Sequence, residues 1–113
     1  MTFVEFQSDA HGALAKTRWN KLCSREDGDT LVNVIAAEWV VMHRNMPATK
    51  EKAHKELLLR CSRRIQDKKA GFSILVIILT AALSAIIKIL IEYWWEKWKK
   101  NHPPEPEPPP EVS

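Results

Sequence analysis

Residues 70–87 read AGFSILVIILTAALSAII and contain no charged side chain. Ten of these eighteen residues are Ile, Leu, Val or Phe. At 1.5 Å per residue, eighteen helical residues extend about 27 Å, close to the roughly 30 Å hydrocarbon thickness of a bilayer. Together with the residues as far as position 93, this stretch predicts a single transmembrane helix over residues 70–93. A buried core helix is the alternative, and we disfavour it because the rest of the chain is too poor in apolar residues to surround such a helix.

The residues on both sides of this stretch are typical of a membrane interface. Five basic residues precede it closely and three lysines follow it, a bias that favours a cytoplasmic N-terminus and a C-terminus outside. Aromatic side chains follow the stretch at the depth where interfacial tryptophans occur. The residues expected to contact lipid headgroups are Arg60, Arg63, Arg64, Lys68, Lys69, Trp94, Trp95 and Trp98.

One side of the predicted span is small and weakly polar, because hydroxyl-bearing and alanine side chains recur at helical spacing. Small residues let two helices approach closely, and hydroxyl groups can form hydrogen bonds across the contact. The pattern is equally compatible with chance composition, with a helix–helix interface, or with the lining of an oligomeric pore. The residues of this predicted helix interface are Ser73, Thr80, Ala81, Ser84, Ala85 and Lys88.

Residues 1–69 predict a small helical domain, and a helix starting at Asp29 or Thr30 and continuing to about Asn45 dominates it. Its apolar residues recur at spacings of three and four, which places them on one face. That face is interpreted either as the domain's own core or as a surface that binds a partner. The residues of this candidate partner face are Leu31, Ile35, Trp39 and Met42.

Pro47 is expected to end this helix, and Thr49 is the candidate N-cap of the next one. From Lys50 the chain predicts a helix that runs towards the membrane and continues into the span. A shorter helix is expected over residues 10–22, followed by a loop over residues 24–28. The apolar face predicted for the helix after Thr49 consists of Ala53, Leu57, Leu58, Cys61 and Ile65.

Residues 94–113 predict an interfacial Trp/Lys segment followed by a tail rich in proline and glutamate. Residues 103–111 contain six prolines and three glutamates. This composition predicts a disordered or extended spacer rather than a helix or a strand.

The sequence shows no pattern typical of an enzyme. His11, His43, His54 and His102 lack metal-ligand spacing with one another and with the two cysteines, and there is no Gly-rich phosphate loop. His54 and Cys61 are two helical turns apart, about 10 Å, beyond hydrogen-bond reach. We therefore expect no catalytic residue, metal site, cofactor or small-molecule substrate.

The sequence as a whole predicts an all-α protein: a small N-terminal helical packet, a long helix running into a transmembrane helix, and the proline-rich tail. A net charge of +3 is too small to indicate a nucleic-acid partner. The expected partners are the lipid bilayer and either another protein or further copies of this chain. The expected function is that of an anchor, adaptor or accessory subunit of a larger membrane assembly. The alternative is a small oligomeric pore of the phage-holin or viroporin type.

Overall fold

The computed structural model describes residues 3–68 and 74–101, with the side chains of residues 3–67 and 80–100. All regular structure in these residues is helical, which confirms the all-α prediction. Short 3₁₀ turns occur at Arg18–Lys21 and at His43–Asn45. The long helices are α1 (Phe3–Ala15), α2 (Arg25–Met42), α3 (Lys50–Lys68) and α4 (Ile74–Asn101).

The four helices pack as a bundle in which each contacts the next, and α4 returns to contact α1. The connections between successive helices are short, as is usual for antiparallel neighbours. Gly28 permits the close approach of α1 to α2, because a Cβ atom there would lie 3.1 Å from the Leu14 side chain. Lys50, at the start of α3, donates a hydrogen bond of 2.7 Å to Glu92 of α4, so these two residues lie at the same height in the bundle.

Capping side chains decide where two of the helices begin. The Thr49 hydroxyl accepts a hydrogen bond from the Lys52 backbone N–H at 3.2 Å, as predicted for α3. In α2, however, the cap is Ser24, whose hydroxyl accepts from the Asp27 N–H at 3.1 Å. The predicted start at Asp29 or Thr30 is therefore wrong, and the expected loop over residues 24–28 is the cap and first turn of α2.

The core is built from one apolar stripe on each helix. On α3 the stripe has a strict spacing of four residues, as predicted, and Leu58 packs beside it. On α1 the buried residues begin at Phe6, earlier than expected, whereas Leu22 is 61% exposed. We refer to Ala53, Leu57, Cys61 and Ile65 as the core stripe of α3.

Three aromatic rings from three helices meet at one end of this core. The rings of Phe6 and Trp39 each lie 5.2 Å from the ring of Trp94, and they lie 6.4 Å from one another. The Trp94 indole N–H donates a hydrogen bond of 3.1 Å to the Asp9 carboxylate. This aromatic cluster therefore joins α1, α2 and α4 by both packing and a polar contact.

The position of α4 corrects the membrane prediction. No helix within residues 3–68 and 74–101 combines the length and the hydropathy needed to cross a membrane. This contradicts the predicted single-pass integral membrane localisation and, with it, the orientation inferred from flanking charges. The physical reason lies in α4, because most of its apolar side chains from Ala82 to Trp95 are buried in the common core while Lys88 and Glu92 face solvent. Residues 70–73 of the predicted span lie outside the described residues.

Candidate interaction surface

The outer face of α3 carries a stripe of basic residues interrupted by one apolar side chain. Lys52, Lys55, Leu59 and Arg63 recur at spacings of three, four and four, so they share one side of the helix. At 100° per residue this side lies opposite the core stripe of α3. Because the opposite side is fully packed, these four side chains face outward, and Leu59 is 51% exposed.

The connection between α2 and α3 converts this stripe into one wall of a groove. Met46 has an extended backbone (ψ 130°), as expected for a residue that precedes a proline, and it directs the chain along the start of α3. The groove has a volume of about 670 Å³. We call it the basic groove, and its lining residues are Asn45, Met46, Pro47, Lys52, Lys55, Glu56, Leu59, Arg60 and Arg63.

Ion pairs fix the inner edge of the basic groove. The Arg60 Nε atom lies 3.0 Å from Glu56, one turn earlier on α3, and the Arg60 guanidinium also approaches Glu38 of α2 at 3.7 Å. Arg64 contacts the same Glu38 carboxylate at 3.2 Å. Because the Glu38 side chain is only 13% exposed, this carboxylate holds both arginines against α2. Much of the Arg60 charge is therefore already compensated within the protein.

The remaining cations of the groove are not compensated in this way. Among the side chains of residues 3–67 and 80–100, none forms a hydrogen bond or an ion pair with the side chain of Lys52, Lys55 or Arg63. Three positive charges without an ion-pair partner thus lie in one row with the exposed Leu59 side chain. Such a surface attracts a negatively charged ligand and offers it one apolar contact.

A second, more polar cleft lies between α1 and the start of α2. It has a volume of about 510 Å³, and His11, Cys23 and Asp29 are among its lining residues. The His11 Nε2 atom lies 3.8 Å from the Asp29 carboxylate. Burial, and to a smaller degree the Asp27 carboxylate, raises the pKa of the Cys23 thiol. At neutral pH the thiol is therefore protonated, which is the opposite of what a nucleophilic cysteine needs. No group of three potential metal ligands occurs in the described part of the chain.

The candidate partner face of α2 occupies a different place from the basic groove. Leu31, Ile35, Trp39 and Met42 are each at most 2% exposed. They form the protein's own core, which is one of the two interpretations that the sequence left open.

The residues of the predicted helix interface on α4 differ in their exposure to solvent. Ala81, Ser84 and Lys88 lie on the solvent side of α4, Ala85 is half-buried, and Thr80 is half-buried and makes a further interaction. Ser73 lies outside the described residues. Three of the five described residues thus lie on the solvent side of α4, and none of the five lines the basic groove.

The residues expected to contact lipid headgroups are scattered rather than gathered on one surface. Trp94 and Trp95 are buried, and Trp98 packs partly against the core. Arg60 and Arg64 pair with Glu38, so that among the arginines predicted to contact headgroups only Arg63 lacks an ion-pair partner in the groove. Lys69 and the side chain of Lys68 lie outside the described residues. Lys52 and Lys55 were not predicted as site residues from the sequence, although their spacing relative to Leu59 places all three on one side of a helix.

The two cysteines differ in accessibility, and this gives a direct test of the packing. Cys61 belongs to the core stripe of α3, where burial raises the pKa of its thiol strongly, whereas Cys23 is only partly buried. We expect one thiol per chain to react with a disulfide reagent under native conditions and two after unfolding. Because burial raises the pKa of the Cys23 thiol, its labelling rate should keep rising with pH beyond the range in which an ordinary cysteine is already ionised.

Labelling followed by peptide mass spectrometry measures this difference, and Cys23→Ser serves as the control. The native Cys23→Ser protein should show almost no reactive thiol. Equal labelling of both cysteines in the native protein would contradict the described packing of α3.

Comparisons with protein-family models, with curated proteins and with solved structures found no match for this chain.

Proposed function

We propose that this protein is a non-enzymatic adaptor or accessory subunit that binds an acidic segment of a partner protein in its basic groove. The observation that carries the proposal is the set of three uncompensated cations, Lys52, Lys55 and Arg63, in one row with the exposed Leu59. The rest of the bundle fixes the position of α3, because its core stripe is buried and Glu38 of α2 pairs with Arg60 and Arg64.

The chemistry of the groove favours carboxylate ligands. The Arg63 guanidinium can form two parallel hydrogen bonds to one carboxylate, while each lysine acts as a compact point charge. Leu59 and the neighbouring Met46 and Pro47 provide an apolar floor for one hydrophobic side chain of the ligand. This combination discriminates an acidic peptide with an apolar residue from a purely polar polyanion.

The length of the cationic stripe sets the size of the ligand. Lys52 and Arg63 are eleven residues apart, which is about 17 Å along a helix at 1.5 Å per residue. An extended peptide covers that distance with about five residues at 3.3 Å each. The proposed ligand is therefore a short acidic segment rather than a large folded surface.

The proposal is tested by fluorescence anisotropy with a labelled peptide in which three glutamates stand on each side of a leucine. We expect Lys55→Glu and Arg63→Glu each to weaken binding about tenfold, equivalent to roughly 1.4 kcal/mol, because attraction becomes repulsion. The matched control is Lys21→Glu, an exposed lysine near the opposite end of α2. This variant has the same net charge as the groove variants and should bind like the unmodified protein.

Two further measurements, with a glutamine peptide and with increasing salt, can refute the proposal. A peptide with glutamine in place of glutamate should not bind, and binding should decline as salt is raised from 50 to 500 mM. Equal binding by the groove variants and the Lys21→Glu control would refute the assignment. Tighter, groove-dependent binding of a labelled single-stranded RNA would also overturn it in favour of a nucleic-acid partner.

A further inference from the structure

An acidic segment of suitable length already exists in this chain. Residues 103–113, which follow α4 in the sequence, contain Glu105, Glu107 and Glu111 and no lysine or arginine. Their formal charge is −3, opposite to that of the three free cations of the basic groove. Val112 is the sole large aliphatic side chain among them, and it lies next to Glu111.

The geometry of α3 and α4 fixes where this segment starts. Lys50 and Glu92 are in contact, so they mark the same height on the two helices. Asn101 lies nine residues beyond Glu92, about 14 Å past the beginning of α3 at 1.5 Å per residue. Lys52 and Lys55 lie on the other side of this height, away from the end of α4. Along α3 they are about 3 Å and about 8 Å beyond Lys50. The chain after α4 must therefore return about 17–22 Å along the bundle to reach these two lysines.

The segment reaches one end of the groove more easily than the other. Residues 102–111 extend about 31 Å at 3.1 Å per residue. When about 22 Å of this extended length is used along the bundle axis, about 20 Å remains for displacement across the axis. This is about twice the usual 8–10 Å spacing of packed helices. Arg63 lies about 34 Å back along the bundle axis, which is further than the backbone of Glu111 extends. The reach therefore covers Lys52 and Lys55, whereas contact with Arg63 needs full extension of the backbone and of both side chains.

We propose that the acidic tail of this chain docks in its own basic groove, with Glu111 at its far end reaching Lys52 and Lys55, and that it competes there with an external acidic partner. The inference rests on the proposed function, because the same groove receives both ligands. Docking within one chain has the advantage of a high effective concentration, so weak individual ion pairs suffice. It would make the basic groove autoinhibited until a partner with more carboxylates or a better apolar anchor displaces the segment.

The test uses the full chain with Glu105, Glu107 and Glu111 all changed to glutamine, and a control in which all three are changed to aspartate. The probe is the same labelled acidic peptide. We expect the glutamine variant to bind it about three- to tenfold more tightly at low salt, and the aspartate control to bind it as the unmodified protein does. At 500 mM salt the difference should disappear, since the competing contacts are exposed ion pairs.

Amide NMR spectra locate the contact. Between the unmodified chain and the glutamine variant, chemical-shift changes should concentrate at Lys52 and Lys55 and be small at Arg63 and Lys21. The changes should not depend on protein concentration. Changes that grow with concentration would overturn docking within one chain and favour a second copy as the source of the segment.

Failure of this inference is distinguishable from failure of the proposed function. If Lys55→Glu weakens binding of the acidic peptide but the glutamine variant binds no more tightly than the unmodified chain, the groove binds acidic segments and self-docking is wrong. If neither substitution alters binding of the peptide, both proposals are overturned.

Discussion

Trp94→Ala is expected to lower the free energy of unfolding by about 3–5 kcal/mol, the usual cost of deleting a large buried aromatic side chain. Trp94 is 1% exposed, it packs on Phe6 and Trp39, and its indole N–H is bonded to Asp9. The substitution removes contacts to α1 and α2 together and leaves a cavity where three helices meet. Small domains have total stabilities of about 5–15 kcal/mol, so this loss can unfold a large fraction of the protein.

Urea denaturation followed by circular dichroism measures this loss, and the neighbouring Tyr93 provides the matched control. Tyr93 is 48% exposed, and its described contact is with the Lys97 ammonium, 4.5 Å from the ring centroid. Tyr93→Ala should therefore change the unfolding free energy by less than about 1 kcal/mol. Similar small losses for both variants would mean that Trp94 does not occupy the core in solution.

Leu57→Ala should cost about 2–5 kcal/mol of unfolding free energy, whereas Leu59→Ala should change it by no more than about 0.5 kcal/mol. The two leucines are two residues apart on α3 and undergo the same chemical change. Leu57 is fully buried in the core stripe, and Leu59 projects from the opposite side into the basic groove. The difference between the two variants thus measures which side of α3 faces the bundle.

The same pair separates stability from binding. Leu59→Ala should weaken binding of the acidic peptide because it removes the apolar contact at the centre of the groove, while the folded fraction stays unchanged. Comparable destabilisation by the two substitutions would contradict the orientation of α3. Unchanged peptide binding by Leu59→Ala would show that the apolar floor contributes nothing to recognition.

The buried faces of α2 and α3 could be read from the sequence because their periodicity is unambiguous. Leu31, Ile35, Trp39 and Met42 repeat at helical spacing between polar residues, and so do the members of the core stripe of α3. Any folded arrangement must cover these faces, since exposed apolar area of this kind is costly. What the sequence left open was whether another helix of the same chain or a separate partner covers the α2 face.

The start of α2 and the inner edge of the groove were harder to predict. Ser24, Asp29 and Thr30 are all acceptable N-caps, and the choice among them depends on where the chain leaves α1. Glu38 of α2 pairs with Arg60 and Arg64 of α3. Pairing between side chains 22 and 26 residues apart has no local sequence signature, so the free and compensated cations could not be told apart.

The sequence by itself determined that this protein is helical, which faces of α2 and α3 are buried, and that Thr49 begins a helix. In the described part of the apolar stretch that starts at residue 70, large side chains such as Leu83 and Ile87 are buried, but the predicted membrane span is contradicted. Hydrophobicity measures transfer out of water and does not distinguish lipid from a protein interior. Only the tertiary structure showed that Leu83, Ile87 and Trp94 pack against three other helices, with Lys88 and Glu92 towards solvent. The basic groove was likewise decided by tertiary structure, because it exists only where the turn at Pro47 lies against the outer face of α3.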